Sequence, residues 1–422
     1  MATLPPEYGT IFPNCPPQYQ SGPEVKPAPK STVTAYASEV SICVDKTQFT
    51  VGDVVTGNVT VTPFSDIELS NLKIEFQSVE TIRRARMFLP ESVIRTVTLS
   101  RFSIPSFDSD GQSKILKKGL EYTFTFSLHV PHSMPKAHCE NSLPLHYQLP
   151  PMFGSQQEDA DEALDTPLKT VTIGYRVRAR LIKPSGTKEF YRYVRVLPTY
   201  PPVELEPSSP YTSLSVLGCP GLLKMKKPIG NVQTTLMSPR VPILYLSENN
   251  TVNLSLELEF SPCGSKNLPP AITSASFRVI SHMLSSSKPL DFYPLYRTDN
   301  NDKKMQHVTR ETESTGMVPT SFSRPTWRPG TRTSAVTSIS MPIYLPPATN
   351  KDKTVPTFFS CHASRQYEVE LMLEFANGYT AKLTVPLILA QDHRGDQFEN
   401  YDFDHLSESQ IAAVKGIATV RT

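Results

Sequence analysis

Hydrophobic residues alternate with polar ones in short runs along most of the chain, and Gly, Pro and Asp separate the runs. In the first half the apolar positions of a run share one face, as with Val59 and Val61 or with Phe124 and Phe126. Alternation at a period of two is typical of strands with one buried face. The pattern predicts strands over 39–45, 49–63 (with a turn at Gly52-Asp53), 69–80, 101–110, 116–131, 171–181 and 190–197.

The second half repeats this pattern. Its predicted strands are 211–217, 234–246, 251–260, 271–281, 333–346, 365–375 and 379–389. The clearest hairpin joins the last two around Asn377-Gly378, since Asn-Gly between alternating runs favours a tight turn. Residues 285–332 are polar and less regular, and we expect them to hold a strand or two and a long loop.

Short strands at this spacing predict an all-β fold of antiparallel sandwiches. A proline-rich break at 200–210 divides the pattern, so we expect two tandem antiparallel β-sandwich domains, 36–200 and 201–390. Residues 1–35 form a proline-rich arm that we expect to be disordered. Residues 391–422 form an acidic tail, in which Ser407-Glu-Ser-Gln410 resembles a capping box that opens one short helix. An acidic insert at 155–165 is expected to be a mobile loop.

Composition narrows the functional classes. Forty of 422 residues are proline, about twice the usual share, which argues against long helices. The 42 basic and 40 acidic side chains nearly balance, so charge gives no reason to expect nucleic acid as a partner. No apolar run approaches the roughly 20 residues of a membrane span, and the N-terminus lacks a signal-peptide pattern.

The six cysteines are widely scattered and form no C-x-x-C pair. None stands at a metal-ligand spacing with histidine along the sequence. We therefore expect free thiols in a reducing cytoplasm, no metal site and no cofactor.

Two Pro-Pro-x-Tyr tetrapeptides lie in the arm, with tyrosines eleven positions apart. Their defining residues are Pro5, Pro6 and Tyr8, and then Pro16, Pro17 and Tyr19. Proline-rich segments favour an extended polyproline II path, which aromatic grooves of WW domains bind at low entropic cost. The alternative is a proline-rich leader without a partner, since short motifs arise by chance.

The order of elements resembles an arrestin N-domain at Gly52-x4-Gly57-x-Val-x-Val and at Leu116-x-x-Gly-x-x-Tyr-x-Phe-x-Phe-x-x-x-Val-Pro131. The strands at 366–371 and 383–388 are similar to the end of an arrestin C-domain. The segment from Cys139 to Leu149-Pro150-Pro151 resembles the Bul-like branch of fungal arrestin-related trafficking adaptors, which are alpha-arrestins. The resemblance covers about residues 36–390 and implies two arrestin-like sandwiches.

This resemblance implies an adaptor rather than an enzyme. Such adaptors recruit a Nedd4-class HECT ubiquitin ligase, whose WW domains bind Pro-Pro-x-Tyr motifs. They bring it to cytosolic tails of plasma-membrane transporters or receptors for ubiquitination and endocytosis. The implied location is the cytoplasm, with transient association with the membrane surface or endosomes. The alternative from the same fold is an endosomal sorting scaffold that acts without a ligase.

Two basic clusters are candidate contacts for an acidic cargo tail or phosphoinositide headgroups. Arg176, Arg178 and Arg180 alternate with apolar residues, so they project from one face of a strand. Arg83, Arg84 and Arg86 form the second cluster. The competing interpretation of each is a solvated face with scattered ion pairs.

Catalytic signals are weak. Cys139 and the adjacent His138 could form a nucleophile pair, but the sequence supplies no oxyanion hole or orienting acid beside them. The chain has no phosphate-binding loop, G-x-S-x-G or H-E-x-x-H. We therefore expect no enzymatic activity; an enzyme would need a convergent polar pocket.

Overall fold

The computed structural model describes residues 39–84, 91–105, 114–135, 139, 143–154, 170–200, 210–219, 227–238, 240–246, 250–264, 267–293, 307–323, 325–331, 333–346, 354–376 and 378–391. Within these ranges the chain forms β-strands and one 3-10 turn, Pro144–Tyr147, and no α-helix. The predicted arm, the acidic insert and the tail with its short helix lie outside the described residues. No helix in the described part is long and apolar enough to cross a membrane.

The first half, up to residue 200, contains ten described strands. They are β1 (Glu39–Val44), β2 (Gln48–Phe49), β3 (Val54–Thr62), β4 (Ile67–Leu69), β5 (Asn71–Arg84), β6 (Glu91–Pro105), β7 (Lys114–Leu116), β8 (Tyr122–His129), β9 (Val171–Lys183) and β10 (Gly186–Val196). One sheet has the order β1-β3-β8, and the facing sheet has the order β2-β10-β9-β5-β6. The pair β4-β7 forms a small separate sheet.

The apolar faces of these two sheets enclose the first hydrophobic core. Strands β3 and β8 contribute Val59 and Phe126, while β5 and β9 contribute Phe76 and Tyr175, all buried. The period-two pattern explains the arrangement, because alternate side chains of each strand enter the same core.

The second half contains twelve described strands. They are β11 (Thr212–Cys219), β12 (Lys227–Leu236), β13 (Ile243–Tyr245), β14 (Thr251–Pro262), β15 (Ile272–Ser286), β16 (Val308–Ser314), β17 (Val318–Thr320), β18 (Arg328–Pro329), β19 (Ala335–Tyr344), β20 (Phe358–Phe359), β21 (Ala363–Phe375) and β22 (Thr380–Ala390). One sheet has the order β11-β12-β14-β19-β18, and the other is built on β13-β22-β21-β15-β16. Their apolar faces enclose a second core that includes Phe260, Phe277 and Leu371.

The predicted all-β class is confirmed, with packed and largely antiparallel sheets in each half. The two halves share one feature of their topology, because each has a short strand beside the last strand of its larger sheet. That short strand pairs in parallel, β2 with β10 and β13 with β22, so the sheets are not purely antiparallel. The first core also includes four residues of the second half, Met283, Val355, Phe358 and Ala363.

Two predicted strands are interrupted. The range 116–131 holds the end of β7 at Leu116 and then β8 from Tyr122, with a turn at Lys118-Gly119 between them. The range 234–246 is not continuous, since β12 ends at Leu236 and β13 begins at Ile243. Pro239 and Pro242 lie in this gap, and proline cannot donate a hydrogen bond to a ladder.

Candidate functional site

The structure describes one of the two predicted kinds of site. Pro5, Pro6, Tyr8, Pro16, Pro17 and Tyr19 lie outside the described residues, as does Arg86. Arg84 ends β5, but its side chain is outside the described part. The ligase-binding motifs therefore remain predictions, and the arginines of β9 form the site whose geometry follows.

Strand β9 presents Arg176, Arg178 and Arg180 on the face of its sheet opposite the core. The intervening residues, Tyr175, Val177, Ala179 and Leu181, are all buried. The strand runs between β5 and β10. Its arginines are therefore flanked on both sides by side chains of the same face, mainly Glu75 and Gln77 on β5 and Glu189 and Tyr191 on β10.

Glu189 pairs with two of these arginines. Arg178 Nη2 forms a hydrogen bond with Glu189 Oε1, and Arg180 Nε lies 3.3 Å from the same oxygen. The Tyr191 hydroxyl donates to Glu189 Oε2 at 2.5 Å. The Tyr191 hydrogen bond, helped by Arg178 and Arg180, lowers the pKa of Glu189 below 4.5. Glu189 is therefore an ionised partner at neutral pH.

A second carboxylate, Glu75, lies under the arginines and is only 1% exposed. Its Oε1 lies 2.9 Å from Arg101 Nε, and its Oε2 lies 3.6 Å from Arg178 Nη1. Gln77 Nε2 donates to Oε2 at 3.1 Å. A buried carboxylate between two guanidiniums fixes their positions, because leaving it unpaired would cost several kcal/mol.

Arg176 is held differently. Its guanidinium carbon stands 4.0 Å from the centroid of the Tyr191 ring, a cation-π geometry, and its Nε donates to Gln77 Oε1 at 3.2 Å. Neither contact neutralises its charge.

The part of this face around the three arginines, which we call the arginine face, comprises five basic side chains and two carboxylates. Its members are Lys73, Glu75, Arg101, Arg176, Arg178, Arg180 and Glu189. Positive charge is in excess, and the internal ion pairs hold the guanidiniums in fixed positions. An ordered cationic surface of this kind can bind a carboxylate-rich or phosphorylated partner.

The second basic cluster lies apart from the arginine face. Arg83 is exposed near the end of β5, and its backbone N–H donates to Thr170 O at 2.7 Å. Six positions along a strand separate Arg83 from Gln77, or roughly 20 Å. The described residues therefore do not bring the two predicted clusters into one patch.

The structure also brings together residues that sequence spacing did not connect. The Cys139 thiol lies 3.4 Å from Nδ1 of His146, and Cys361 of the second half joins them. His138, the predicted partner of Cys139, lies outside the described residues. The seven-residue spacing of Cys139 and His146 could have suggested that these two side chains meet. No spacing could have suggested Cys361, which lies 215 positions after His146.

A broad cavity of about 520 Å³ lies beside β15 and the segment after β16. Its charged lining residues, Arg365 and Glu313, pair with each other at 2.8 Å. The other lining residues are apolar, glycine or hydroxyl side chains, with no histidine or cysteine in the described lining.

Comparison with known proteins does not assign the chain to a family. No family model matches the chain, and no curated protein matches it by sequence. Among solved structures, the chain is similar to Spo0M, a sporulation control protein from Bacillus subtilis. The two are 12% identical over 54% of this chain and 80% of that one, with a TM-score of 0.25. The architecture described here rests on its own strand pairing and cores.

Proposed function

We propose that the protein is a non-catalytic adaptor of the alpha-arrestin kind, similar to the Bul-like branch of fungal trafficking adaptors. The arm, residues 1–35, would recruit a Nedd4-class HECT ubiquitin ligase through its WW domains. The β-sandwiches would hold the cytosolic tail of a membrane transporter or receptor. Tethering raises the local concentration of ligase near lysines of the cargo, which favours ubiquitination and endocytosis without chemistry by the adaptor.

The observation that carries this proposal is the pair of Pro-Pro-x-Tyr motifs in one arm. The roughly ten residues between the tyrosines span at most about 35 Å when extended. Two WW domains of one ligase within that distance can bind together, and the second contact then gains from effective concentration. The all-β scaffold supports the proposal because sandwiches present rigid faces and edges to a peptide.

The recruitment step can be tested by a binding titration with the full chain. Its affinity for the tandem WW domains of a Nedd4-class ligase would be measured by calorimetry for the wild type, Tyr8→Ala, Tyr19→Ala and the double variant. We expect each single change to weaken binding about tenfold or more and the double change to abolish it. Tyr36→Ala is the matched control, since Tyr36 lies just beyond the arm and Val33-Thr34 stands where the motif would have Pro-Pro.

Equal binding by all five proteins, or no binding by the wild type, would contradict the proposal. The sorting-scaffold function, which needs no ligase, would then take its place.

The arginine face is proposed to contact the cargo tail. Its excess charge should give salt-sensitive binding to an acidic peptide. We expect Arg176→Gln together with Arg180→Gln to weaken that binding, because Gln77 and Tyr191 hold Arg176 without a carboxylate and Arg180 lies 3.3 Å from Glu189. Arg278→Gln is a suitable control, since Arg278 lies in the second half and pairs with Glu370 at 3.1 Å. Equal binding by the double variant and the control would remove the arginine face from the cargo site.

A further inference from the structure

Three side chains with metal-ligating atoms meet between the two halves of the chain. Cys139 follows β8, His146 lies in the 3-10 turn, and Cys361 lies between β20 and β21. All three are buried, at 6%, 3% and 3% exposure. Their two sulfur atoms and one imidazole nitrogen all lie within 4.8 Å of one another.

The spacing matches a tetrahedral metal centre. With Zn–S near 2.3 Å and Zn–N near 2.0–2.1 Å, tetrahedral angles place ligand atoms roughly 3.5–3.8 Å apart. The Cys139 Sγ to His146 Nδ1 distance is 3.4 Å. The other two pairs lie within 4.8 Å, so they exceed the tetrahedral spacing by at most about 1.3 Å.

The chemistry of the three ligand atoms also suits a cation. Cysteine binds a metal as the thiolate and histidine binds it as the neutral imidazole, so two thiolates and one divalent ion form a neutral unit in this buried place.

We propose that Cys139, His146 and Cys361 bind one Zn²⁺ ion that joins the two halves. Binding releases one proton from each thiol to solvent and changes no oxidation state. Thiolate and imidazole ligands favour Zn²⁺ over Mg²⁺ or Ca²⁺, which prefer oxygen. A cavity of about 20 Å³ beside His146 and Cys361 has room for one water as the fourth ligand.

Other polar groups around this cavity would form the outer shell. Glu80, Arg95 and Ser360 line it, and the Ser360 hydroxyl donates to Glu80 Oε1 at 2.6 Å. Arg95 also forms a hydrogen bond with Cys361. Outer-shell contacts of this type orient ligands and tune metal affinity. Because Glu80 belongs to β5 and Ser360 follows β20, this shell also bridges the two halves.

The test is metal binding by the full chain, purified under reducing conditions. Metal analysis should find about one zinc per chain. After chelation, Co²⁺ should restore one equivalent of binding, with the intense thiolate-to-cobalt absorption and the visible bands of a tetrahedral site. Cys139→Ser and Cys361→Ser should each weaken Co²⁺ binding at least about 100-fold, at or beyond the limit of outer-shell changes.

Cys43→Ser and Cys263→Ser are the matched controls, because both of these cysteines are exposed. They should leave the cobalt spectrum unchanged. The wild-type spectrum decides the question even if a ligand variant fails to fold.

Two results would overturn the proposal. One is a wild-type chain that contains no zinc and gives no thiolate-to-cobalt band. The other is a Cys139–Cys361 disulfide, found by mass analysis as the loss of two hydrogens in protein purified under reducing conditions. The WW-domain titration is independent of both results, so failure of the metal site would not count against the adaptor function.

Discussion

The Tyr175 hydroxyl shows how much a specific hydrogen bond contributes to stability in the first core. It donates to Pro150 O at 2.5 Å inside the core. Burial raises its pKa, so it remains a protonated donor. We expect Tyr175→Phe to lower the free energy of unfolding by about 1–3 kcal/mol, since a buried carbonyl loses its donor. Denaturant unfolding measures this loss.

Tyr122→Phe is the control for that measurement. The Tyr122 hydroxyl accepts from the backbone N–H of Lys117 at 2.8 Å near solvent, where water can replace it. The loss should stay within about 0.5 kcal/mol. If both variants lost the same free energy of unfolding, burial would not determine how much the Tyr175 hydrogen bond contributes to stability.

Glu189 gives the arginine face a measurable pH dependence. Its pKa in the folded chain is lowered, chiefly by the Tyr191 hydroxyl. A lowered pKa stabilises the fold above the unfolded value near 4.5, and this contribution is lost as pH falls through the folded pKa. Glu189→Gln should therefore reduce stability at pH 7, and its difference from the wild type should shrink as the pH falls below the unfolded pKa of glutamate. A difference independent of pH would refute the ion-pair assignment.

At the scale of elements, sequence periodicity predicted most strands but not all of their ends. The alternation of Arg176, Arg178 and Arg180 with apolar residues was enough to place them on the outer face of β9. The partners Glu75 and Glu189 were not predictable, because register between strands depends on pairing across the sheet. The predicted strand 234–246 failed where Pro239 and Pro242 interrupt an otherwise suitable pattern.

The hairpin of β21 and β22 supports a prediction about its turn. Gly378 has φ +75°, in the left-handed region, where a side chain adds strain. We expect Gly378→Ala to cost about 1 kcal/mol in unfolding free energy. Gly316→Ala is the control, since a Cβ there meets no atom within 4 Å and no positive φ is involved. Equal stabilities for the two variants would rule out strain at Gly378.

Contacts between the halves belong to the scale of the whole molecule, and the sequence could not predict them. Cys361 reaches Cys139, and Ser360 reaches Glu80, across more than 200 residues. No local period or spacing records such a contact, because it depends on how two separately patterned halves pack. The two Pro-Pro-x-Tyr motifs are the opposite case, since they are visible in the sequence alone and lie outside the described residues.

Phe358 provides a test of whether the halves unfold together. It comes from β20 in the second half, yet it is 5% exposed and packs in the first core. Calorimetry of the wild type in chelator should give one transition, with equal calorimetric and van't Hoff enthalpies.

Phe358→Ala should cost about 3–5 kcal/mol and also raise the ratio of calorimetric to van't Hoff enthalpy above one, because a contact that joins the halves is lost. Phe260→Ala removes a similar volume from the second core alone, so it should destabilise the chain while the enthalpies still agree. Two wild-type transitions, or equal enthalpies in Phe358→Ala, would mean that this shared packing does not couple the halves.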